Sequence, residues 1–435
     1  MTYKKWWRAA LLGATAMGLG VLADAQTPEV CLTFDNALSL AASNDPSVRV
    51  ARANLENAEA GLQEARSLRR PQISTFTRFG VGDTGLVDSQ IENQIGVLAS
   101  QRVIDFGDAR LARRAAREDV AAQQSLILNV EGQSALRAGL AFIDWLEAAA
   151  QLRVTEERVD YFRRQLTAIE ALLAQGGSTR VERAEVAAEL ATAEAFRFEF
   201  EFRRDQAAAR VAIATGDPAA PCGQAEPQLE TGYDALDAGI VENMVADALA
   251  VNPEIEALRR SRLSLEAAAK REARARLPAI DVVGIASYGS QDFEGNFDLE
   301  TRVGVNVTVP IYSGNALTAR RRRASAQAAR AGGELDAARR ELREAIEVTY
   351  RRALLLEAQA SRRTTVRDLK TDEFEAALIE HSQGLRTLPL LVDVRLELED
   401  AALAGIRAEY DLNRTELELL ALTGQLLDGQ RGVEG

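Results

Sequence analysis

Residues 302–315 read RVGVNVTVPIYSGN, a run of alternating apolar and polar residues that ends in a proline and a glycine-containing turn. The apolar positions are Val303, Val305, Val307, Val309 and Ile311. Alternation with a period of two over about ten residues predicts a β-strand with one apolar face. Its predicted partner is a strand over residues 279–289, which carries apolar or small residues at every second position.

The chain contains this unit twice. A single offset of 207 positions (253 − 46 = 207) aligns the two halves without a gap from residue 46 to residue 177. The offset brings together Pro46 and Pro253, Pro71 and Pro278, Gly107 and Gly314, and Gly177 and Gly384. A copy of this length predicts a duplicated supersecondary unit rather than a short solenoid repeat.

Each half is predicted to contain helices, a β-hairpin, a very long helix, a glycine tip and a returning helix. The first repeat covers residues 26–216, with its hairpin at about 72–104 and its tip at about 175–180. A proline-rich connector at 217–235 leads to the second repeat, 236–435, with its hairpin at about 279–312 and its tip at about 383–388. In the first hairpin the apolar positions are Ile91, Ile95, Val97, Ala99 and Val103.

The long helices are predicted from two proline-free segments, residues 108–175 and 315–383. At 1.5 Å per residue each would be a rod of about 100 Å. A helix of this length needs neighbours along its whole length, as in a coiled coil or helical tube. In the first returning helix, Phe196, Phe198, Phe200 and Phe202 alternate. The charged and alanine-rich surroundings favour a helix buried on two sides over a strand.

Strands of ten residues with one apolar face suit a membrane-spanning β-barrel. Four strands cannot close a barrel, and hydrocarbon does not tolerate an open sheet edge. Several chains must therefore contribute: two would give eight strands, a barrel filled by its own side chains, whereas a conduit needs at least three chains. The alternative is a soluble periplasmic coiled-coil scaffold or adaptor, which would have no need for a lipid-facing stripe.

The first 25 residues predict a signal peptide, with Lys4, Lys5 and Arg8 before an apolar stretch and an Ala23-Asp24-Ala25 cleavage site. An exported protein meets an oxidising compartment, so the two cysteines, Cys31 and Cys222, are predicted to form a disulfide.

The composition of the chain argues against nucleic-acid binding and against enzyme activity. The net charge of −13 argues against nucleic acid as a partner. With a single histidine and no nucleotide-binding, nucleophile or zinc motif, we expect no enzyme activity, catalytic residue, metal or cofactor.

Four features resemble the TolC-like outer-membrane channels of Gram-negative bacteria: VPIYSGN at 309–315, RVIDFGD at 102–108, the paired helix–Pro–strand passages, and GLRT at 384–387. The resemblance implies a homotrimer in which a shared 12-stranded barrel in outer-membrane lipid continues into a periplasmic α-helical barrel. It further implies a passive exit duct for efflux or type I secretion. The implied partners are a periplasmic adaptor (membrane fusion) protein and an inner-membrane pump of RND or ABC type.

By the same resemblance, the tips would dock the adaptor, and residues beside them would form the gate. The docking residues are Gly176, Gly177, Ser178, Gly384, Leu385 and Thr387. Arg386 would hold the entrance shut, with an acidic partner from the first tip, Glu182 or Glu185; His381 stands where the family has a tyrosine. Asp393 would line a cation-selective constriction.

Each gate assignment has a simpler alternative. Arg386 could be a solvated turn residue, Asp393 an ordinary surface acid, and His381 a packed tip residue rather than a pH sensor.

Overall fold

The computed structural model describes residues 31–82, 90–222, 238–290 and 298–427. The predicted signal peptide, most of the connector and the centres of both hairpin loops lie outside these residues. The first repeat contains α1 (Phe34–Asn44), α2 (Pro46–Ser67), β1 (Gln72–Gly82), β2 (Gln90–Ile104), α3 (Asp108–Ala174) and α4 (Arg180–Thr215). The second contains α5 (Ala238–Val251), α6 (Pro253–Arg274), β3 (Ala279–Ser290), β4 (Asp298–Thr308), α7 (Ala316–Ser382) and α8 (Leu388–Thr423).

The mainly helical, duplicated fold predicted from the sequence is confirmed. Helices α3 and α7 each run for 67 residues, and each folds back through a glycine turn into a helix of 36 residues. Gly176 and Gly384 adopt φ values of 78° and 73°, the left-handed conformation that ends a helix at no steric cost to glycine. Thr179 then restarts the chain as the N-cap of α4 in a capping box with Glu182.

The helices of the trunk form a layer in the order α4–α3–α8–α7. The upper core packs α1 against this layer through Phe34, Phe142, Val211 and Leu417. Gly139 lies at a close contact in this core, because a Cβ atom there would stand 2.7 Å from Leu417 Cδ2 and 2.9 Å from Leu38 Cδ2. A second core joins α5, α6, α7 and α8, and a third, close to the tips, joins α3, α4 and α8.

The four strands form one antiparallel sheet in the order β1-β2-β3-β4. The two hairpins therefore meet through the β2–β3 pair, where Val97 lies opposite Ala286. The sheet makes no substantial contact with any described helix. Within the described residues, no helix combines the length and the apolar character needed to cross a membrane.

Cys31 and Cys222 are joined by a disulfide, with their Cα atoms 5.3 Å apart and a separation of 191 positions in sequence. Backbone hydrogen bonds flank it: Leu32 N donates to the Ala220 carbonyl at 2.8 Å, and Cys222 N donates to the Leu32 carbonyl at 2.9 Å. Together they fasten the segment before α1 to the segment that follows α4.

Candidate functional site

The strand register divides the sheet into an apolar and a polar face. Residues directly opposite each other in neighbouring strands share a face. In β3 and β4, Val282 lies opposite Val305, and Ile280 lies opposite Val307. The same face carries Ile73, Thr75, Thr77 and Phe79 of β1, Ile95, Val97 and Ala99 of β2, Ile280, Val282, Gly284, Ala286 and Tyr288 of β3, and Leu299, Thr301, Val303, Val305 and Val307 of β4.

This apolar face is bare: Val303 is 82% exposed and Ile73 is 73% exposed. A contiguous apolar surface across four strands is not stable in water and marks a contact with lipid or protein. The alternation read from the sequence is confirmed for β3 and for Val303, Val305 and Val307 of β4. Val309 and Ile311 were predicted to continue the strand, but β4 ends at Thr308, just before Pro310, which has no backbone N–H to donate. In β2 it breaks at a bulge between Arg102 and Ile104, so that Ile104 rather than Val103 lies opposite Ile280.

The opposite face carries the charges of the sheet. Arg102 Nε donates to Asp281 Oδ1 at 3.1 Å across the two hairpins, and Arg302 pairs with Glu300 at 2.6 Å. Gln94 and Ser287 on this face are buried although no helix covers the sheet. Crowding on an uncovered face indicates that the sheet curls toward it, which makes the polar face the concave side.

The second tip, between α7 and α8, is organised around Arg386. Its Nε donates to Glu380 Oε2 at 3.0 Å, and its carbonyl oxygen lies 2.8 Å from His381 Nδ1. Thus Arg386 pairs within one chain with Glu380, a residue that the sequence analysis did not single out, and not with Glu182 or Glu185. Glu380 occupies the last turn of α7, where a carboxylate opposes the helix dipole and calls for a nearby cation. The unfavourable position of Glu380 in the last turn of α7 was the sequence feature that could have predicted this pair.

The first tip, between α3 and α4, is organised around Glu182. Its Oε2 accepts hydrogen bonds from the Thr179 backbone N–H at 2.9 Å and from Ser178 Oγ at 2.8 Å. These two donors lower the pKa of Glu182 below its ordinary value, and the nearby His381 adds to the effect. Glu182 is therefore a capping residue whose charge also faces the second tip.

The remaining predicted tip residues differ in exposure. Leu385 is 76% exposed at the end of the second tip, while Gly176 and Gly384 have open space around the position of a Cβ atom. Asp393 is exposed on α8 between the buried Val392 and Val394. The structure thus leaves both tips and Asp393 accessible to another molecule.

A buried charge cluster that the sequence analysis missed joins the two helical hairpins. Arg158 on α3 donates to Glu189 on α4 at 3.0 Å and to Glu399 on α8 at 3.3 Å. Arg158 and Glu399 are 7% and 3% exposed. Burial raises the pKa of Glu399, and the charge of Arg158 offsets only part of that effect.

Beside this pair, the Arg395 guanidinium lies over the rings of Tyr161 and Phe374, at 5.1 and 5.3 Å from their centroids. The only sequence signal was position, since Arg158 shares a helix face with the buried Thr155, Val159 and Phe162. In a chain with so many arginines, this position does not distinguish Arg158 from an arginine in a surface ion pair. The cluster belongs to the packing between the hairpins and, among the described residues, no metal-ligand group accompanies it.

Comparison with known proteins agrees with this geometry. The family described as "Outer membrane efflux protein" matches residues 37–217 and 244–425. The chain is 25% identical over 418 residues to the outer membrane efflux protein BepC of Brucella suis biovar 1 (strain 1330), covering 92% of this chain and 87% of BepC.

Two solved structures share the fold. The open state of the Neisseria gonorrhoeae MtrE outer membrane channel superposes with a TM-score of 0.77 at 16% identity, covering 90% of this chain and 89% of MtrE. The Campylobacter jejuni CmeC outer membrane channel gives a TM-score of 0.75 at 14% identity, covering 92% of this chain and 88% of CmeC.

The family match covers both repeats, and it overturns the alternative of a soluble periplasmic scaffold or adaptor. It places the chain in the outer membrane, with its helical part on the periplasmic side. The chain therefore belongs to the outer membrane efflux protein family, whose members are outer-membrane exit ducts rather than enzymes.

Proposed function

We propose that three copies of the chain form one continuous duct, with a shared 12-stranded barrel in the outer membrane above a hollow helical trunk. The observation that carries this proposal is that both layers of the chain end in free lateral edges. In the sheet, β1 and β4 each have one unpaired side among the described strands. In hydrocarbon such edges must pair, so β1 of one copy would join β4 of the next.

The trunk supports the same head-to-tail arrangement. The helices at its lateral ends, α4 and α7, each expose a mostly apolar stripe whose spacings of three, four and seven residues fit the heptad of a coiled coil. On α4 the stripe is Val181, Ala184, Ala188, Ala191, Ala195, Phe198, Phe202, Ala209 and Ile213. On α7 it is Val348, Leu355, Ala358, Thr365, Leu369, Ala376 and Ile379.

The sequence predicted that this helix is buried on two sides, and the α4 stripe would be the second of these sides. Phe200 is buried within the chain, whereas Phe198 and Phe202 are 60% and 67% exposed. A neighbouring copy would cover them with its α7 stripe. The strands and the helices would then join neighbouring copies in the same direction around the axis. Joining in this way allows a closed ring rather than an open filament.

The substrate would pass along the polar, concave side of the sheet without a dedicated binding pocket, with selectivity set by width and charge. Energy would come from an inner-membrane pump of RND or ABC type through a periplasmic adaptor. The adaptor would dock at the exposed tip residues around Gly176 and Leu385. Drug efflux and type I secretion are two uses of the same duct, and the pump decides between them.

For the gate, we propose that Arg386 and Asp393 control the periplasmic entrance, with His381, Glu182 and Glu185 around it. The Arg386–Glu380 pair is partly exposed, with side chains 28% and 47% exposed, so it contributes little more than a surface ion pair does, about 0–1 kcal/mol. Arg386 can therefore exchange this partner for a carboxylate of a neighbouring copy at little cost, as a gate residue must.

One pair of variants tests the membrane assignment. Val305→Arg places a charge on the apolar face, whereas Asn306→Arg places the same charge one residue along, on the polar face. An arginine at the lipid midplane costs about 2–4 kcal/mol. We expect Val305→Arg to reduce trimers recovered from outer-membrane fractions severely and Asn306→Arg to leave them near wild type. Equal recovery of the two variants would refute the assignment.

A further inference from the structure

Eight arginines gather where the strands give way to the long helices. Between Asp108 and Glu118, α3 carries four arginines and no acid. In α7 the first acid is Glu334, and four consecutive arginines come before it. The cluster, called here the arginine collar, consists of Arg110, Arg113, Arg114, Arg117, Arg320, Arg321, Arg322 and Arg323.

The collar has no carboxylate partners among the described residues, because the nearby acids already pair with other arginines. Asp105 binds Arg69 at 2.9 Å, and Asp108 binds Arg271 at 2.9 Å. Glu118 binds Arg260 at 3.1 Å. Within each group of four, unpaired guanidinium groups on neighbouring helical positions repel one another, so both groups are poised to bind external anions.

The α3 half of the collar surrounds an open cavity of about 360 Å³, lined by Arg110, Arg113, Arg114, Arg117 and Glu118. Helices α2 and α6 converge on the opposite face of α3, where Ala65, Ala112 and Ala268 line a separate cavity. Since both neighbours pack on that other face, the four arginines of α3 project from the convex side of the helical layer. Arg320 to Arg323 occupy four successive positions around α7 and are all exposed. In a ring, the convex side faces outward.

The collar also lies at the depth of the headgroups. Helix α3 begins four residues after Ile104 ends the membrane strand, and α7 begins eight residues after Thr308. At 1.5 Å per residue, the collar arginines fall within about 14 Å of the helix starts, with Arg117 the farthest. The headgroup region below the hydrocarbon is about 5–8 Å thick, and an arginine side chain can reach upward into it.

We propose that the arginine collar binds the phosphate groups of anionic phospholipids in the periplasmic leaflet of the outer membrane. Bidentate contacts between guanidinium and phosphate suit arginine in particular. Such contacts would fix the height of the duct in the membrane. The charge stands out in a chain whose overall net charge is −13.

The test counts lipids retained by purified trimers, using native mass spectrometry after mixing with vesicles of equal parts phosphatidylglycerol and phosphatidylcholine. The collar variants are Arg113→Gln/Arg114→Gln and Arg320→Gln/Arg321→Gln, which are matched positions of the two repeats. The control is Arg362→Gln/Arg363→Gln, another exposed adjacent pair on α7, far down the trunk. An arginine near an anionic surface strengthens binding by about fivefold, so each collar variant should lose several-fold of its preference for phosphatidylglycerol.

Three outcomes would overturn the proposal. One is equal retention of both lipids by the wild type. Another is the same loss in the trunk control as in the collar variants. The third is collar-dependent binding of inorganic phosphate with no lipid preference, which would assign the collar to soluble anions in the lumen. Trimer mass and channel conductance are recorded on the same samples, so failure here is distinguishable from failure of the trimeric duct.

Discussion

At the scale of single residues, the second tip shows how a helix end sets up a switchable contact. Glu380 lies where the dipole of α7 disfavours a negative charge, and Arg386 neutralises it from across the glycine turn. The turn places Arg386 there because Gly384 reverses the chain in the left-handed conformation. The pair keeps Arg386 oriented at the tip without committing it to a buried, permanent bond.

Removing that side chain should loosen the closed entrance. We expect Arg386→Ala to raise single-channel conductance in planar bilayers by several-fold, because the proposed gate would lose the cation that links neighbouring tips. Glu380→Gln should not raise conductance, since it frees Arg386 for the carboxylate of a neighbouring copy and leaves its charge in place.

The matched control is Arg183→Ala. Arg183 also forms an exposed ion pair near a tip, with Glu170 at 2.7 Å, but within the first hairpin. Its removal should leave conductance unchanged. If Arg386→Ala behaves like Arg183→Ala, Arg386 is a solvated turn residue and the gate lies elsewhere.

At the scale of elements, the sequence predicted what depends on local periodicity. Strand β4 and the long helices follow from alternation, proline spacing and the duplication. These patterns are local and do not depend on which elements pack together. The β2 bulge does not follow from them. Counting every second residue places Val103 on the apolar face, but register depends on the partner strand, and the extra residue shifts Ile104 opposite Ile280 instead.

The buried cluster around Arg158 escaped prediction for a related reason. Its members come from three helices, and Arg158 and Glu399 are 241 residues apart in sequence. Each looks like a surface charge within its own helix. Only the packing of α3 against α8 removes them from water, and that crossing is not encoded in the period of either helix.

This burial predicts a pH dependence. Because the folded-state pKa of Glu399 is raised, its contribution to stability is fully present below the unfolded-state pKa and is lost as pH rises through the folded-state value. Glu399→Gln removes this titration. The Tm of Glu399→Gln minus that of wild type should therefore increase with pH, measured by trimer melting from acidic to neutral pH.

Arg158→Ala supplies the contrast. It leaves the buried Glu399 without its cation, which for a buried pair costs about 3–5 kcal/mol. Its deficit should shrink at low pH, where Glu399 becomes neutral. A Tm difference between Glu399→Gln and wild type that stays constant over this pH range would show that Glu399 does not titrate in the folded trunk.

At the scale of the whole molecule, one chain would form one of three segments of the proposed duct. The sheet runs from β1 to β4 and the trunk from α4 to α7, and both layers have their free edges at the lateral ends. A chain of this kind cannot satisfy its edge strands or cover its apolar stripes alone. Its stability is therefore inseparable from assembly, and defects in the seam should appear as loss of trimer.

The α4 stripe offers the sharpest test of that seam. Phe198→Gln/Phe202→Gln removes two exposed aromatic side chains whose burial against a neighbour would contribute about 1.5–3 kcal/mol each. We expect the trimer of this variant to dissociate at a lower temperature or detergent concentration than wild type, as measured by native mass spectrometry. Because three such seams would close the ring, the effect should be large.

The control for this variant lies one residue along the same helix. Glu199→Gln/Arg203→Gln removes an exposed ion pair beside the stripe, also with two glutamines, and should leave trimer stability within about 1 kcal/mol of wild type. Since Phe198 and Phe202 already face solvent in the single chain, their loss cannot act by emptying its core. A selective loss of trimer in the phenylalanine variant thus reports on the contact between copies, and equal stability of both variants would place the α4 stripe outside the seam.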